Sequence, residues 1–399
     1  MAIDNNHSNP APLPLLSLAF RPFFLGGTLF AVVAVSWWVY FWLNPFSWQP
    51  HGGALWWHAH EMLFGFGTAI VAGFLLTAVA SWTGVAALQG GQLLILAAIW
   101  LSGRLLIAFG SGLPVGAVVA GDLFFLLLVS GAMAYPILKA RQWRNLAFLP
   151  MLLVLTLLNG MSHWAVATGQ TALAMQSLDA TILWFVLLMA FLAGRVIPAF
   201  TANASDYRKA PPLPWLDAAS IITIILMLIV AWAGFSSVPS WLLFGIASTG
   251  ALANGWRFGR WGFQYSWNEP LLWSLHLAYA FIPLGFVALA LHSLGLMDNL
   301  SAALHGFTVG AMGGMILAMI SRVTLGHTGR PLEPPRLIPL AYIAILLAAL
   351  VRIALPAWLP ALTNWGIAIA GGLWVLAYAI YLLYYAPMLI SANVERETG

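Results

Sequence analysis

The run FRPFFLGGTLFAVVAVSWWVYFWL, from Phe20 to Leu43, carries a single charged side chain, Arg21. As a helix rising about 1.5 Å per residue, a run of this length crosses the roughly 30 Å hydrocarbon core of a bilayer. Comparable runs follow near 59–81, 91–109, 115–138, 147–168, 177–198, 215–234, 239–255, 270–293, 302–321, 336–355 and 363–388. Pro, Gly, Asn and clusters of charge break them. The clearest break is Asn268-Glu269-Pro270, a cap, an acidic first turn and a proline at the first helical position. The reading is all-α: a polytopic integral membrane protein of about twelve transmembrane helices, one transmembrane domain over residues 1–399 with tails at 1–19 and 389–399.

Composition agrees. Of 399 residues, 62% are apolar and 7% charged, against roughly 25% charged in a soluble domain. Mean hydropathy is +0.92, more apolar surface than a water-soluble chain of this size can bury. The absence of cysteine excludes disulfides, iron–sulfur clusters and thiolate sites, and leaves His, Met and carboxylates as metal ligands. The 15 Lys and Arg against 11 acids form no run that could track a nucleic acid. The first 19 residues lack the charged-then-apolar order of a cleavable signal peptide, so the Phe20–Leu43 helix is expected to be retained.

Loop charges set the expected orientation. Lys139, Arg141 and Arg144 follow span four, and Arg208 and Lys209 follow span six. Arg257 and Arg260 follow span eight, while Arg322, Arg330 and Arg336 flank or follow the end of span ten. The odd-numbered loops carry neither Lys nor Arg, so both termini are expected in the cytoplasm. Histidines then gather at the helix ends. His51, His58, His60, His163, His292 and His305 lie toward the outside, His276 and His327 toward the inside, and His7 in the N-terminal tail.

Laying His60 over His305 places Gly65 on Gly310 and Thr83-Gly84 on Thr328-Gly329, without a gap over 25 positions. These are spans two and ten, eight helices apart, as repeated four-helix units would give, with span six as a middle copy that lacks the His. Parallel helices with a His at equal depth can oppose two imidazoles across a flat cofactor, as axial ligation of haem iron requires. Gly65, Gly67, Gly310, Gly313 and Gly314 either admit a porphyrin to the backbone or let helices pack closely.

Trp57-His58-Ala59-His60-Glu61-Met62 is the densest local signal. On a regular helix His58 and His60 lie about 200° apart, so each can serve a different centre, with Glu61 orienting an imidazole. His163, four residues after Asn159, is a further candidate ligand, and His276 and His327 are expected to form a second, inner site. Arg195 and Arg322 end spans six and ten in matching positions, suited either to cofactor propionates or to lipid phosphate. The stripe His305, Met312, Met319 on span ten, with Met315 beside it, is either packing or a thioether face for copper(I). Arg104, Asp122, Asp179, Asp217 and Arg352 are candidates for internal ion pairs or a proton path. No phosphate-binding loop, Ser-His-Asp order or HExxH helix occurs, and catalytic residues stay unassigned.

Four segments together resemble the NnrS family: Ala19-Phe20-Arg21-Pro22-Phe23-Phe24, Trp57 to Gly65, Gly194 to Thr201, and Arg322 to Arg330. The resemblance runs through nearly the whole chain. It implies a haem- and copper-containing protein of the bacterial cytoplasmic (inner) membrane, with b-type haem, linked to nitric oxide and to relief of nitrosative stress. Its implied activity is binding or turnover of nitric oxide, in its enzymatic form a reductase-like oxidoreductase whose electron donor the sequence does not give. On depth alone, His60 and His305 are expected to hold the haem and His58, His163, His276 and His327 to serve metal. The competing reading is a twelve-span secondary transporter without a redox cofactor, against which the position of the histidines near the two faces counts.

Overall fold

The computed structural model describes residues 13–394; His7 lies outside them. Twelve long helices run in chain order: α1 (Phe20–Leu43), α2 (Ala54–Thr83), α3 (Gly91–Phe109), α4 (Val115–Lys139), α5 (Phe148–Ala167), α6 (Thr171–Ala204), α7 (Pro214–Ala233), α8 (Ser240–Gly259), α9 (Pro270–Ser293), α10 (Leu300–His327), α11 (Ile338–Trp358) and α12 (Thr363–Ile390). No strand occurs among the described residues. Eleven of the helices are long and apolar enough to cross a membrane. The twelfth, α8, falls short in hydropathy because it carries Ser248, Thr249, Asn254, Arg257 and several glycines.

Three helices start or end well beyond their apolar runs: α2, α6 and α10. They are also the most enclosed, with 78%, 67% and 72% of their apolar windows buried, against 61% for α9 and 44% or less for the other candidate spans. Spaced four apart in the chain, they occupy the places that a repeated four-helix unit assigns to its second member. The likeness of α2 and α10 extends to backbone detail. Immediately after His60, α2 widens into a π-helical segment, Glu61–Gly67; immediately after His305, α10 does the same over Gly306–Gly313. Such segments are rare and frequent at functional sites. Both helices give way to a glycine of positive φ, Gly84 at 67° and Gly329 at 80°.

Buried charges staple the bundle. Arg21 explains its place in the first apolar run: its guanidinium donates to Leu389 O at 2.7 Å, Ser391 O at 2.6 Å and Asn393 Oδ1 at 2.6 Å, capping α12 and closing the ring of helices. Arg257 and Arg322 are helical residues and not the loop charges the sequence reading took them for. Arg257 is buried in α8 and donates to Asp217 Oδ1 of α7 at 2.8 Å and to Tyr279 Oη of α9 at 3.3 Å. Lys139, Arg141, Arg144, Arg208, Lys209 and Arg260 remain at one face, the basic face; His51, His58, His60, His163 and His305 lie toward the other.

Candidate metal centre and histidine chamber

His58 and His60 leave α2 in different directions, as a rotation near 200° requires. His60 points toward α3, α4 and α5, where each helix contributes a polar side chain to a buried cluster. His60, Glu61, Asn159 and His163 are 0% exposed, and Arg104 and Asp122 3%. Glycines allow the approach. A Cβ on Gly103 would stand 3.1 Å from Gly121 O and 3.3 Å from the Cα of Asp122, so α3 and α4 cross in near backbone contact. A Cβ on Gly65 would stand 2.9 Å from Glu61 Oε2 and 3.0 Å from Arg104 Nη1.

Within the cluster, Arg104 bridges both acids, donating to Glu61 Oε1 at 3.1 Å and to Asp122 Oδ1. Glu61 Oε1 lies 3.1 Å from His60 Nδ1, and in the tautomer protonated there the lone pair is on His60 Nε2. That atom faces acceptors only: Asn159 Oδ1 at 2.9 Å and Asp122 Oδ2 at 3.3 Å. His163 Nε2 lies 3.0 Å from the same Asp122 Oδ2, and its Nδ1 lies 3.2 Å from His51 Nε2. Burial, with His163 and His60 nearby, pushes His51 down to about 4, so at neutral pH its ring is uncharged.

This geometry suits a cation. Ligand atoms of His60, Asp122 and His163 lie within 4.8 Å of one another, and ligands about 2.1 Å from a tetrahedral metal stand roughly 3.4 Å apart. The charge also suits it. Two carboxylates against one guanidinium leave one negative charge over among groups shut off from water, a costly state unless a cation joins them. A carboxylate fixing the far nitrogen of a ligating imidazole, as Glu61 fixes His60, is the usual support of a metal-bound histidine.

His58 faces the other way, into a chamber of about 290 Å³ whose walls come from α1, α2, α6, α10, α11 and α12. Its ring stacks on Trp38 at 4.4 Å and 7°, and Nδ1 is buried without a hydrogen-bond partner among the described residues. His305 lines the same chamber. Its Nδ1 lies 2.6 Å from Ser301 O, which can only accept, so Nδ1 carries the proton and Nε2 a lone pair. Asp179, Ser301, Thr308 and Arg352 complete the polar lining; the rest is apolar.

The structure therefore brings His60 together with His163, and His305 together with His58. His276 and His327 are not brought together. His276 Nε2 meets Thr201 Oγ1 at 3.0 Å and its ring packs near Phe263, whereas His327 is exposed and packs on Phe20. Arg195 lies over the Phe191 ring at 4.3 Å and Arg322 over Phe200 at 3.9 Å, and neither lines the chamber. Gly65, Gly67, Gly310, Gly313 and Gly314 also lie outside its lining and accommodate neighbouring side chains instead. Sequence reasoning gave His51 no role and could not pair Arg104 with Asp122. The signal available was the repeated pattern Gly103-Arg104 and Gly121-Asp122, a charge set beside a glycine within an apolar span.

Fold and site together define a polytopic helical membrane protein with a buried histidine–carboxylate cluster beside a histidine-lined chamber. The family model for NnrS protein matches residues 14–393, and the chain belongs to that family. No curated protein matches it.

Proposed function

We propose that this protein holds a haem in the chamber between His58 and His305 and a copper ion at His60, Asp122 and His163. We further propose that it binds or turns over nitric oxide at the face of the bacterial cytoplasmic membrane opposite the basic loops. The observation that carries the reading is that His58 and His305 line one chamber. Membership of the NnrS family, associated with haem, copper and nitric oxide, supports it.

The donors fit both groups. His305 offers a free Nε2 because Ser301 O fixes its other nitrogen, so it would be one of the residues holding the group. His58 has a buried Nδ1 that no protein group satisfies. A haem bound there supplies one-electron chemistry and an iron that takes a diatomic ligand. Arg352 stands in the wall to meet the anionic propionates. Asp179, on α6, is placed to hold a proton within the chamber. Of the two imidazoles, His305 is fixed by a hydrogen bond and His58 by stacking alone, so His58 would be the less firmly held of the two. At the cluster, two imidazoles and a carboxylate suit copper or zinc, and the family association favours copper.

The purified protein is expected to show a Soret band and to contain about one copper per chain. A colourless, metal-free protein would remove the reading.

A further inference from the structure

The π-segments of α2 and α10 meet at one contact. A Cβ on Gly67, at the end of the first segment, would stand 2.5 Å from Met312 Cε in the second and 2.7 Å from Phe185 Cζ on α6. Only a glycine leaves the Met312 side chain this room. Met312 lines the histidine chamber and also a second cavity of about 100 Å³ nearer the basic face. That cavity lies among α1, α2, α6, α9 and α10, and every side chain lining it is apolar, Phe24, Phe74, Phe185, Leu192, Met315 and Met319 among them.

We infer that the second cavity is a docking site for a small neutral diatomic gas, and that Met312 is the gate between it and the histidine chamber. Water gains nothing there, since no wall group offers a hydrogen bond. The cavity opens in part onto its surroundings, and its roughly 100 Å³ is less than the about 150 Å³ of enclosed apolar cavities that take benzene or xenon, so its free volume suits a molecule of two heavy atoms. The surrounding hydrocarbon admits such a molecule freely and excludes ions and polar solutes. Methionine suits a gate because its unbranched, polarisable side chain changes rotamer readily, and Gly67, lacking a Cβ, leaves the space that its methyl occupies. The inference stands on the walls of this cavity and does not require either metal group to be bound.

Xenon is the probe. Crystals of the purified wild-type protein under xenon pressure are expected to show anomalous density in the inner cavity. Val196→Phe and, as a milder filler, Ala193→Leu are expected to lose it. In xenon-129 NMR, Met312→Ala is expected to merge the signals of the two cavities, and Gly67→Ala to slow exchange between them several-fold. Absence of xenon from the wild-type cavity, a lipid or detergent chain filling it, or xenon retained in both filled variants would overturn the docking site. Exchange unchanged by both Met312→Ala and Gly67→Ala would overturn the gate. The haem spectrum plays no part in these readings, so they fail or succeed apart from the proposed cofactors.

Discussion

His58 and His60 lie two residues apart on α2 and serve different surroundings: His58 stacks on Trp38 at 4.4 Å, while His60 Nε2 lies 2.9 Å from Asn159 Oδ1 and 3.3 Å from Asp122 Oδ2. Two helical residues advance about 3 Å along the axis. The chamber and the cluster therefore sit side by side at nearly the same depth, separated by the body of one helix.

The cluster is expected to lose its copper in His60→Ala and in His163→Ala, read as metal per chain. Glu61→Gln keeps the shape but weakens the hold on His60 Nδ1, and is expected to lower metal affinity by about 10–100-fold. Equal metal content in all three variants would remove the cluster as a binding site.

Arg104 bridges Glu61 and Asp122 and is the one guanidinium between them. Arg104→Met is expected to destabilise the fold by about 3–5 kcal/mol, the usual consequence of stranding a buried charge. Arg104→Lys should recover part of this, since an ammonium keeps the charge but lacks the planar fork that bridges two acids. Thermal unfolding in detergent measures both. An unchanged midpoint in Arg104→Met would mean that the carboxylates need no partner.

His276→Ala combined with His327→Ala is expected to leave haem and copper content unchanged, because the two residues meet different neighbours. Metal analysis of the double variant decides the point. A drop in either metal would show that the basic face holds a site of its own.

Orientation rests on the loop charges that remain once Arg257 and Arg322 are assigned to helices. A reporter fused after Lys139, Lys209 or Arg260 is expected in the cytoplasm, and one within residues 44–49 outside. Opposite results at two of these positions would invert the arrangement.

The helix bounds were most legible where Pro, Gly or Asn punctuates the chain: α1, α3 and α9 run over the residues that the apolar runs mark. They were least legible in α2, α6 and α10, whose ends are helical yet polar. Depth could be read from sequence, and His60 does meet His163 in one cluster while His58 and His305 line one chamber. Azimuth could not. Equal depth matches His305 with His58 as well as with His60, and a shift of two residues turns a side chain by about 200°. Charge counting failed at Arg257 for a related reason: composition cannot separate a loop arginine from one buried against Asp217 and Tyr279.

The absorption and EPR spectra of His58→Ala, His305→Ala and His60→Ala, taken side by side, test the central claim most directly. His58→Ala and His305→Ala are each expected to lose the low-spin haem signal, and His60→Ala to keep it while losing copper. A low-spin signal that survives in His58→Ala and disappears in His60→Ala would contradict the account.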